Sequence, residues 1–236
     1  MNYLNLLLAF LIAVYVLNGL HKGFLMSVSN TIGLICSWFI GFLFCEPLAA
    51  TISRGSFYRF VLIFTEGSSH LADQVQGHLA VSELSHGEIV SIVDSASLPE
   101  PFGHLLLSNM ENQVYSGSYQ SVADYFDYTV TDTVVNIISF LLVYLASRII
   151  ISLILNTMYY ASPFPMLKHL DAVAGGAVGL LRGCLGMYAI CMVIPILLIS
   201  MPANITLFSD IIDGSSLATT FYHSDFLLQF IPGVIK

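Results

Sequence analysis

The sequence predicts an all-α polytopic membrane protein with about four membrane segments packed in a small helical bundle. Three observations predict this class: an apolar composition, several apolar stretches of spanning length, and acidic residues concentrated in one region between those stretches. Of the 236 residues, 56% are hydrophobic and only 9% are charged, whereas soluble domains carry roughly 25% charged residues. Composition alone therefore places the chain in the membrane class.

The spans are predicted from length, because a helix needs about 20 apolar residues to cross the hydrocarbon core of a bilayer. Residues 3–20, 24–45 and 134–155 meet this requirement, and residues 170–200 meet it but contain Arg182. The first stretch has no basic residue before it and no cleavage site of small residues after it. We therefore expect it to be a span and not a signal peptide that is removed.

Four segments follow along the chain. Residues 1–65 are predicted to form a first membrane hairpin with an interfacial segment, and residues 66–132 an acidic non-cytoplasmic region. Residues 133–200 are predicted to form a second membrane hairpin, and residues 201–236 a non-cytoplasmic tail. The acidic region contains ten Asp and Glu residues and no Lys or Arg, and we expect a few short helices in it.

The orientation is predicted from basic residues in short loops, which mark the cytoplasmic side of a membrane protein. Lys22 and Lys168 lie in such loops, so the N-terminus, the acidic region and the C-terminal tail are predicted on the other side. Arg54 and Arg59 follow the second span and oppose this orientation. They agree with it only if the aromatic-rich residues 57–64 lie in the interface and the arginine side chains reach the head groups.

Composition also disfavours several kinds of partner. The net charge of −8 leaves no basic surface for nucleic acid, which is not expected to bind. The cysteines lie in apolar runs without the close spacing of a zinc site, and we interpret them as packing residues. They are Cys36, Cys45, Cys184 and Cys191.

Four histidines of the acidic region lie near acidic residues, which raises the question of a metal site. His70, His78 and His86 are evenly spaced by eight residues, and over that interval a helix rotates about 80° away from its starting face. The three side chains therefore do not converge. A solvated surface is favoured for them and for His104, and neither a metal nor a cofactor is expected.

Two copies of a Gly-Leu-x-basic-Gly pentapeptide carry the most specific signal. The first occupies residues 19–23 and the second residues 179–183, and each is followed by an apolar segment. The second copy extends backwards to give Asp-x-x-x-Gly-x-x-x-Gly-x-x-Arg-Gly. The two elements define a set of site residues, namely Gly19, Lys22, Gly23, Asp171, Gly175, Gly179, Arg182 and Gly183.

These two elements resemble those of the colicin V production protein family, whose members carry a Gly-x-x-basic-Gly element after the first helix and the longer element at the start of the last helix. The resemblance covers residues 3–45 and 134–200 and leaves out the acidic region, which is longer here than the family's usual linker. It implies a multi-pass protein of the bacterial inner membrane with a part in producing or exporting a peptide toxin. It implies no particular biochemical activity.

The glycines of the second element predict close helix packing. Gly175, Gly179 and Gly183 recur every four residues and so lie on one stripe of a helix, which Gly176 and Gly186 widen. Small residues at this spacing let a neighbouring helix approach closely. The neighbour is either another helix of the same chain, which is favoured, or a helix of a second copy in a homodimer.

The charged residues of the elements admit two arrangements. Asp171 and Arg182 lie about 16 Å apart along an unbroken helix, so they cannot pair directly. Either Arg182 lies near the bilayer midplane, at a cost of about 2.5–3.5 kcal/mol, or it lies level with Lys22 at the cytoplasmic face after a re-entrant half-helix, which we favour. Asp171 is expected to cap its own helix or to pair with Lys22, His21 or Arg148.

Three classes of function remain. The leading hypothesis is a non-enzymatic membrane component that supports toxin production or export and envelope maintenance. Its partners would be the lipid bilayer and either a membrane or envelope protein or a second copy of the chain. The alternative is a small oligomeric transporter or channel, motivated by the intramembrane residues Arg148 and Arg182. An enzyme is disfavoured because no Gly-x-Ser-x-Gly element occurs and no nucleophile with its base is recognisable.

Overall fold

The chain folds almost entirely into helices. The computed structural model describes residues 3–115, 120–161, 168–200, 210–212 and 214–235, and this part contains no strand, only an isolated antiparallel bridge between Ala80 and Ser121. The helices are α1 (Tyr3–Lys22), α2 (Phe24–Ser53), α3 (Ser56–Thr65), α4 (His86–Ser95), α5 (Phe102–Glu111), α6 (Val122–Ala161), α7 (Lys168–Cys191), α8 (Ile194–Ile199) and α9 (Ser216–His223).

Four helical stretches among the described residues are long and apolar enough to cross a membrane, at Tyr3–Lys22, Phe24–Ser53, Val122–Met158 and Leu170–Ile199. Large apolar side chains on these stretches are exposed, and they include Phe10, Leu17, Phe39, Leu43, Ile149 and Leu153. Many large apolar side chains exposed on long helices suit lipid as the surroundings and not water. The predicted class, an all-α polytopic membrane bundle, is confirmed.

Two of the spans exceed their predicted limits. Helix α2 continues to Ser53 and does not end at residue 45. Helix α6 begins at Val122 because Ser121 and Asp124 cap it reciprocally. The Asp124 carboxylate accepts a hydrogen bond of 2.6 Å from the Ser121 hydroxyl and one of 3.2 Å from the Ser121 N–H. In return, the Asp124 N–H donates to the Ser121 hydroxyl oxygen at 3.2 Å. The end of the acidic region is therefore part of the third spanning helix.

Helix α3 corresponds to the aromatic-rich segment that was predicted to be interfacial. A turn separates it from α2, in which the Gly55 N–H donates to the Ile52 carbonyl at 2.9 Å. Phe57, Phe60 and Phe64 are exposed on one side of the helix, and successive ring centroids lie 6.3 and 5.8 Å apart. An exposed row of stacked aromatic rings is typical of a helix that lies at a membrane surface.

The acidic region is folded, as expected. Single turns of 3-10 helix at Gly67–His70, Gln76–His78 and Val81–Glu83 precede α4 and α5. These elements pack with the start of α6 around an apolar core that contains Leu71, Val81, Ile89, Ile92, Val93, Leu106, Met110, Val122, Tyr125 and Phe126. Acidic composition therefore does not mean disorder in this segment.

The chain divides into two compact units that interleave along the sequence. The first comprises Met1–Phe44, Phe140–Cys191 and Ser209–Phe226. The second comprises Cys45–Ser139, Met192–Phe208 and Leu227–Lys236. Each unit thus combines segments that are distant in sequence, and α2 and α6 contribute residues to both.

In the first unit, α9 lies beside the beginning of α1. The amide oxygen of Asn5 accepts hydrogen bonds from the Ser215 hydroxyl at 2.7 Å and from the Leu217 N–H at 3.1 Å. Tyr188 of α7 packs edge-on against Phe221, with ring centroids 5.4 Å apart. The beginning of the first span and part of the C-terminal segment therefore lie together, which agrees with an even number of spans.

Helix α7 runs without a break from Lys168 to Cys191. The re-entrant half-helix that was favoured for the residues before Arg182 is therefore wrong. The segment contains no proline that would break the helix. Its glycines pack against α1, so the backbone of α1 fills the space beside α7 where glycine has no side chain. Arg182 consequently lies inside a continuous spanning helix, which is the other arrangement considered.

Candidate functional site

The two Gly-Leu-x-basic-Gly elements meet each other where α1 and α7 pack together. A Cβ atom on Gly19 would collide with the carbonyl oxygen of Gly175, and a Cβ atom on Gly175 would collide with the carbonyl oxygen of Gly19. The two backbones are therefore in direct contact at this point. Only glycine fits at either position without moving a helix.

The contact continues in antiparallel fashion along the stripe. A Cβ atom on Gly179 would lie 2.6 Å from the Tyr15 carbonyl oxygen, and one on Gly183 would lie 3.2 Å from the Tyr15 Cβ. Gly176 lies against the side chain of Leu20. The glycine stripe of α7 is therefore occupied by α1 of the same chain.

Asp171 caps a helix, but the helix is α2 and not its own. Its carboxylate accepts a hydrogen bond of 3.2 Å from the N–H of Phe24, the first residue of α2. Gly23 makes the approach feasible, since its φ of +78° is readily adopted only by glycine and a Cβ there would meet the carboxylate. A carboxylate at this position satisfies an N–H that the helix leaves unpaired. The expectation of a cap on α7 itself is wrong, because α7 begins at Lys168.

Lys22 points towards α6. Its Nζ donates to the side-chain oxygen of Asn156 at 3.2 Å. Among the described residues, Asp171 forms no ion pair with Lys22, His21 or Arg148. The polar cluster that was considered as an alternative role for Asp171 is therefore not formed.

Arg182 lies buried between α7 and α1. The residue is 3% exposed, and its guanidinium carbon lies 5.1 Å from the centroid of the Tyr15 ring. Tyr15 precedes Lys22 by seven residues, which corresponds to about 10 Å along a helix. The prediction that Arg182 lies level with Lys22 is therefore wrong, because the two elements pack antiparallel and do not run side by side.

Arg148 lies in α6 facing α2. A Cβ atom on Gly33 would lie 3.5 Å from its Nη1. This Nη1 and the Nε of Arg182 are both enclosed by protein, and neither has a hydrogen-bond partner. An arginine in the middle of the third span is expected to meet either a buried polar partner or a water-filled cavity, and the described residues supply no acceptor to this Nη1.

A second polar site, in the second unit, was missed by the sequence analysis. Asp132 is 5% exposed, and its carboxylate accepts hydrogen bonds from the Tyr58 hydroxyl at 2.7 Å, the Tyr115 hydroxyl at 3.0 Å and the Ile235 N–H at 3.2 Å. Burial, together with the neighbouring carboxylate, raises the pKa of Tyr58 and of Tyr115 above the ordinary value. Both phenols therefore remain protonated hydrogen-bond donors.

The same site holds a segment close to the C-terminus. The side-chain amide of Asn136 donates to the Pro232 carbonyl at 2.7 Å, and that of Asn109 donates to the Gly233 carbonyl at 3.0 Å. The sequence did contain a signal for this site. Polar residues recur at helical spacing on one side of early α6, and the buried ones are Thr129, Asp132, Thr133, Asn136 and Ser139.

The histidines of the acidic region do not form a metal centre. No group of three or more His, Cys, Asp or Glu residues suitable for a metal ion occurs among the described residues. His86 Nδ1 lies 2.7 Å from a carboxylate oxygen of Glu111 at the surface. The cysteines Cys36, Cys45, Cys184 and Cys191 are all free thiols.

Comparison with known proteins bears on one part of the chain. Residues 114–224 match the family model described as Colicin V production protein. The match contains the second element, whereas the first element at residues 19–23 lies outside it. It also includes the end of the acidic region, which the resemblance seen in the sequence left out. No curated protein and no solved structure matches the chain.

Proposed function

Since residues 114–224 form a Colicin V production protein family domain within a multi-pass membrane protein, we propose that this chain supports the production or export of a colicin V-like peptide toxin. We further propose that it acts in the bacterial inner membrane and helps to maintain the cell envelope. The observation that carries the proposal is the family match over the segment that contains both spans of the second hairpin.

The proposed role is non-enzymatic. The family is not a known enzyme family, and the charged residues of its sequence elements serve structural contacts here. Asp171 caps α2, Lys22 binds Asn156, and Arg182 stacks on Tyr15. We therefore propose that the protein acts as a structural component of the membrane, whose surface binds a partner protein.

The partner is proposed to be a membrane or envelope protein. The glycine stripe of α7 is filled by α1, so a partner or a second copy would have to use another surface. Exposed apolar side chains on α6, such as Leu142, Leu145, Ile149 and Leu153, offer a face that would contact lipid or a neighbouring spanning helix.

The proposed role in toxin production or export is tested by deleting the gene for this chain from a bacterium that carries a colicin V-type toxin operon. We expect toxin activity in the medium to fall and to return on expression of the wild-type chain. Measuring toxin inside the cells separates the two halves of the proposal, since retained toxin indicates an export role and absent toxin indicates a production role. Unchanged toxin in both compartments would reject the proposal.

A second candidate function is a small oligomeric transporter or channel. It is favoured by two arginines in spanning helices, the buried Arg182 and Arg148, whose Nη1 is enclosed by protein. Four spans form too small a bundle to enclose a wide pore, so conduction would need several subunits. Purification in mild detergent followed by reconstitution in liposomes distinguishes the candidates. A stable secretion or envelope partner supports the first, whereas a pure homo-oligomer that conducts ions supports the second.

A further inference from the structure

Residues 231–235, with the sequence Ile-Pro-Gly-Val-Ile, lie against α5 and α6 without forming a helix or a strand. We call these residues the strap, and all of its contacts described below lie within the second unit. Ile231 is 2% exposed, and Ile235 packs against the apolar core that contains Phe102 and Val134. An apolar side chain therefore anchors each end of the strap.

Side chains bind the strap, and backbone pairing does not. Asn109 of α5 and Asn136 of α6 donate to its carbonyl oxygens, and the Asp132 carboxylate accepts from the N–H of its last residue. Among the described residues, no backbone group of residues 232–235 bonds to another backbone group. We call these three side chains the strap site. They bind main-chain atoms, which every peptide carries, so the hydrogen bonds alone do not require the sequence of the strap.

The apolar contacts of the strap do select a sequence. A Cβ atom on Gly233 would lie 3.0 Å from the Cβ of Leu105 and 3.2 Å from the Nδ2 of Asn109, so a side chain larger than that of glycine is unfavourable there. Ile231 and Ile235 are the apolar residues two positions to either side. The surface beneath the strap therefore suits the pattern apolar-x-Gly-x-apolar.

The strap leaves one atom of its own site unsatisfied. Asn136 is 0% exposed, and its Nδ2 donates to the Pro232 carbonyl, but its Oδ1 is enclosed and receives no hydrogen bond. Pro232 cannot supply one, because proline has no backbone N–H. A buried acceptor without a donor is unfavourable. A segment with any other residue at this place carries the N–H that the strap lacks.

The strap forms the outer layer of this part of the second unit. Pro232 and Val234 are only partly buried, and the two residues that precede the strap, Gln229 and Phe230, are exposed. A segment that displaces the strap takes its place against α5 and α6. Binding therefore needs no further cavity.

We propose that the strap site binds a segment of a partner protein in place of the strap. The ligand carries the pattern apolar-x-Gly-x-apolar, and its second residue is not proline, so that an N–H reaches the Oδ1 of Asn136. The strap is then a tethered competitor at an effective concentration of about a millimolar. The inference deepens the protein partner proposed above and rests on that part of the proposal. Its test uses a synthetic peptide and no toxin, so its failure is distinguishable from failure of the toxin role.

Fluorescence anisotropy of a labelled peptide tests the proposal with the full chain in an uncharged detergent. One peptide has the sequence of residues 229–235, and a second has alanine in place of the proline. Gly233→Leu in the chain weakens the strap, because the new side chain meets Leu105 and Asn109. Overpacking of this kind should let either peptide bind roughly fivefold to a hundredfold more tightly than it binds the wild type. If that variant fails to fold, Gly233→Ala provides the same comparison.

Further variants assign the binding to the strap site. They are made in the Gly233→Leu chain, since in the wild type the same change weakens the strap and the peptide alike. Asn109→Ala and Asn136→Ala should each weaken peptide binding about twofold to tenfold, the range for one hydrogen bond. Asn112→Ala is the matched control and should change nothing, because Asn112 is exposed on α5 and its side chain donates to Ser108 of its own helix.

A double-mutant cycle tests the missing N–H. The ratio of the Kd of the proline peptide to that of the alanine peptide should be about twofold to tenfold larger with Asn136 than with Asn136→Ala. An equal ratio would overturn the partner assignment and leave the strap of a second copy as the ligand. A peptide with leucine in place of the glycine is equally apolar and controls for partition into detergent.

Three other outcomes overturn the proposal. The first is equal peptide binding by the wild type and Gly233→Leu. The second is binding by the Asn109→Ala and Asn136→Ala variants that equals that of Asn112→Ala. The third is binding of the leucine peptide as tightly as the peptide with glycine.

Discussion

Gly179 and Gly33, two glycines in different spans, face different kinds of neighbouring atoms. At Gly179 the nearest atoms to an added Cβ belong to the backbone of α1, including the carbonyl oxygen of Tyr15 at 2.6 Å. At Gly33 the nearest atoms are side-chain atoms of Ile151 and Leu155, at 2.8 and 3.2 Å. A side chain can change its rotamer, whereas a helix backbone can yield only if the whole helix moves.

We therefore expect Gly179→Leu to reduce the amount of folded protein much more than Gly33→Leu. Overpacking of a well-packed interior costs about 1–3 kcal/mol where side chains can adjust, and more where two backbones must separate. The measurement is the monodisperse fraction after detergent extraction at equal expression. Equal losses for the two variants would show that the backbone contact of α1 and α7 has no special importance.

Asp171 acts on a helix that precedes it by about 150 residues. Its bond to the Phe24 N–H joins the start of α2 to the first turn of α7. We expect Asp171→Ala to destabilise the protein by about 1 kcal/mol, the usual effect of removing a helix cap. Chemical denaturation in detergent measures it.

Asp171→Asn is the matched control, since it keeps a side-chain oxygen at the same place and should retain most of the stability. If the alanine and asparagine variants lost equal stability, the hydrogen bond to Phe24 would not be the cause.

At the level of elements, helix starts in this chain are set by short polar motifs. Ser85 is the N-cap of α4, and its hydroxyl and N–H donate to the Glu88 carboxylate at 2.7 and 2.8 Å. These two hydrogen bonds, from the hydroxyl first, lower the pKa of Glu88 below its ordinary value. The arrangement is a capping box.

The lowered pKa makes the start of α4 sensitive to acid. A carboxyl whose folded pKa is depressed stabilises the helix fully above the unfolded pKa of about 4.3 and loses that effect as the pH falls through the lower folded value. We expect the protection of the first amides of α4, measured as the ratio of the intrinsic to the observed hydrogen-exchange rate at each pH, to fall across this window. Glu88→Gln should exchange at a rate without this extra pH dependence, and an unchanged transition in that variant would assign the effect to another group.

The elements also show which parts of the structure were predictable. The four spans and the close packing of the glycine stripe follow from local properties, namely apolar length and residue spacing. The partner of each motif could not be predicted from local properties. Gly19 contacts Gly175 and Asp171 binds Phe24, and both contacts join segments that are far apart in sequence. The Asp132 site was missed for the same reason, since Tyr58, Tyr115 and Ile235 reach it from three different segments.

For the whole molecule, the direction in which the spans cross the membrane is a prediction from the basic residues of the short loops. Lys22 and Lys168 are predicted to face the cytoplasm, and residues 66–132 the opposite side. The contact of Asn5 with Ser215 is consistent with an even number of spans and does not depend on the direction in which they cross.

Single cysteines in a cysteine-free background test the orientation. We expect an impermeant thiol reagent to label Ser97→Cys only from outside the cytoplasmic membrane and His21→Cys only from the cytoplasmic side. Both positions are exposed, so each serves as the accessibility control for the other. Labelling of Ser97→Cys from the cytoplasm alone would reverse the predicted topology.

The pairing of α1 with α7 also has a consequence for biosynthesis. A ribosome adds about 5–20 residues per second, so roughly eight to thirty seconds pass between the synthesis of Gly19 and that of Gly175. During this interval the face of α1 that contains Gly19 and Tyr15 has no partner from its own chain, because the glycine stripe of α7 that covers it has not been made. A nascent chain in this state is open to mispairing with any other small-residue helix nearby, and the arrival of α7 ends that period.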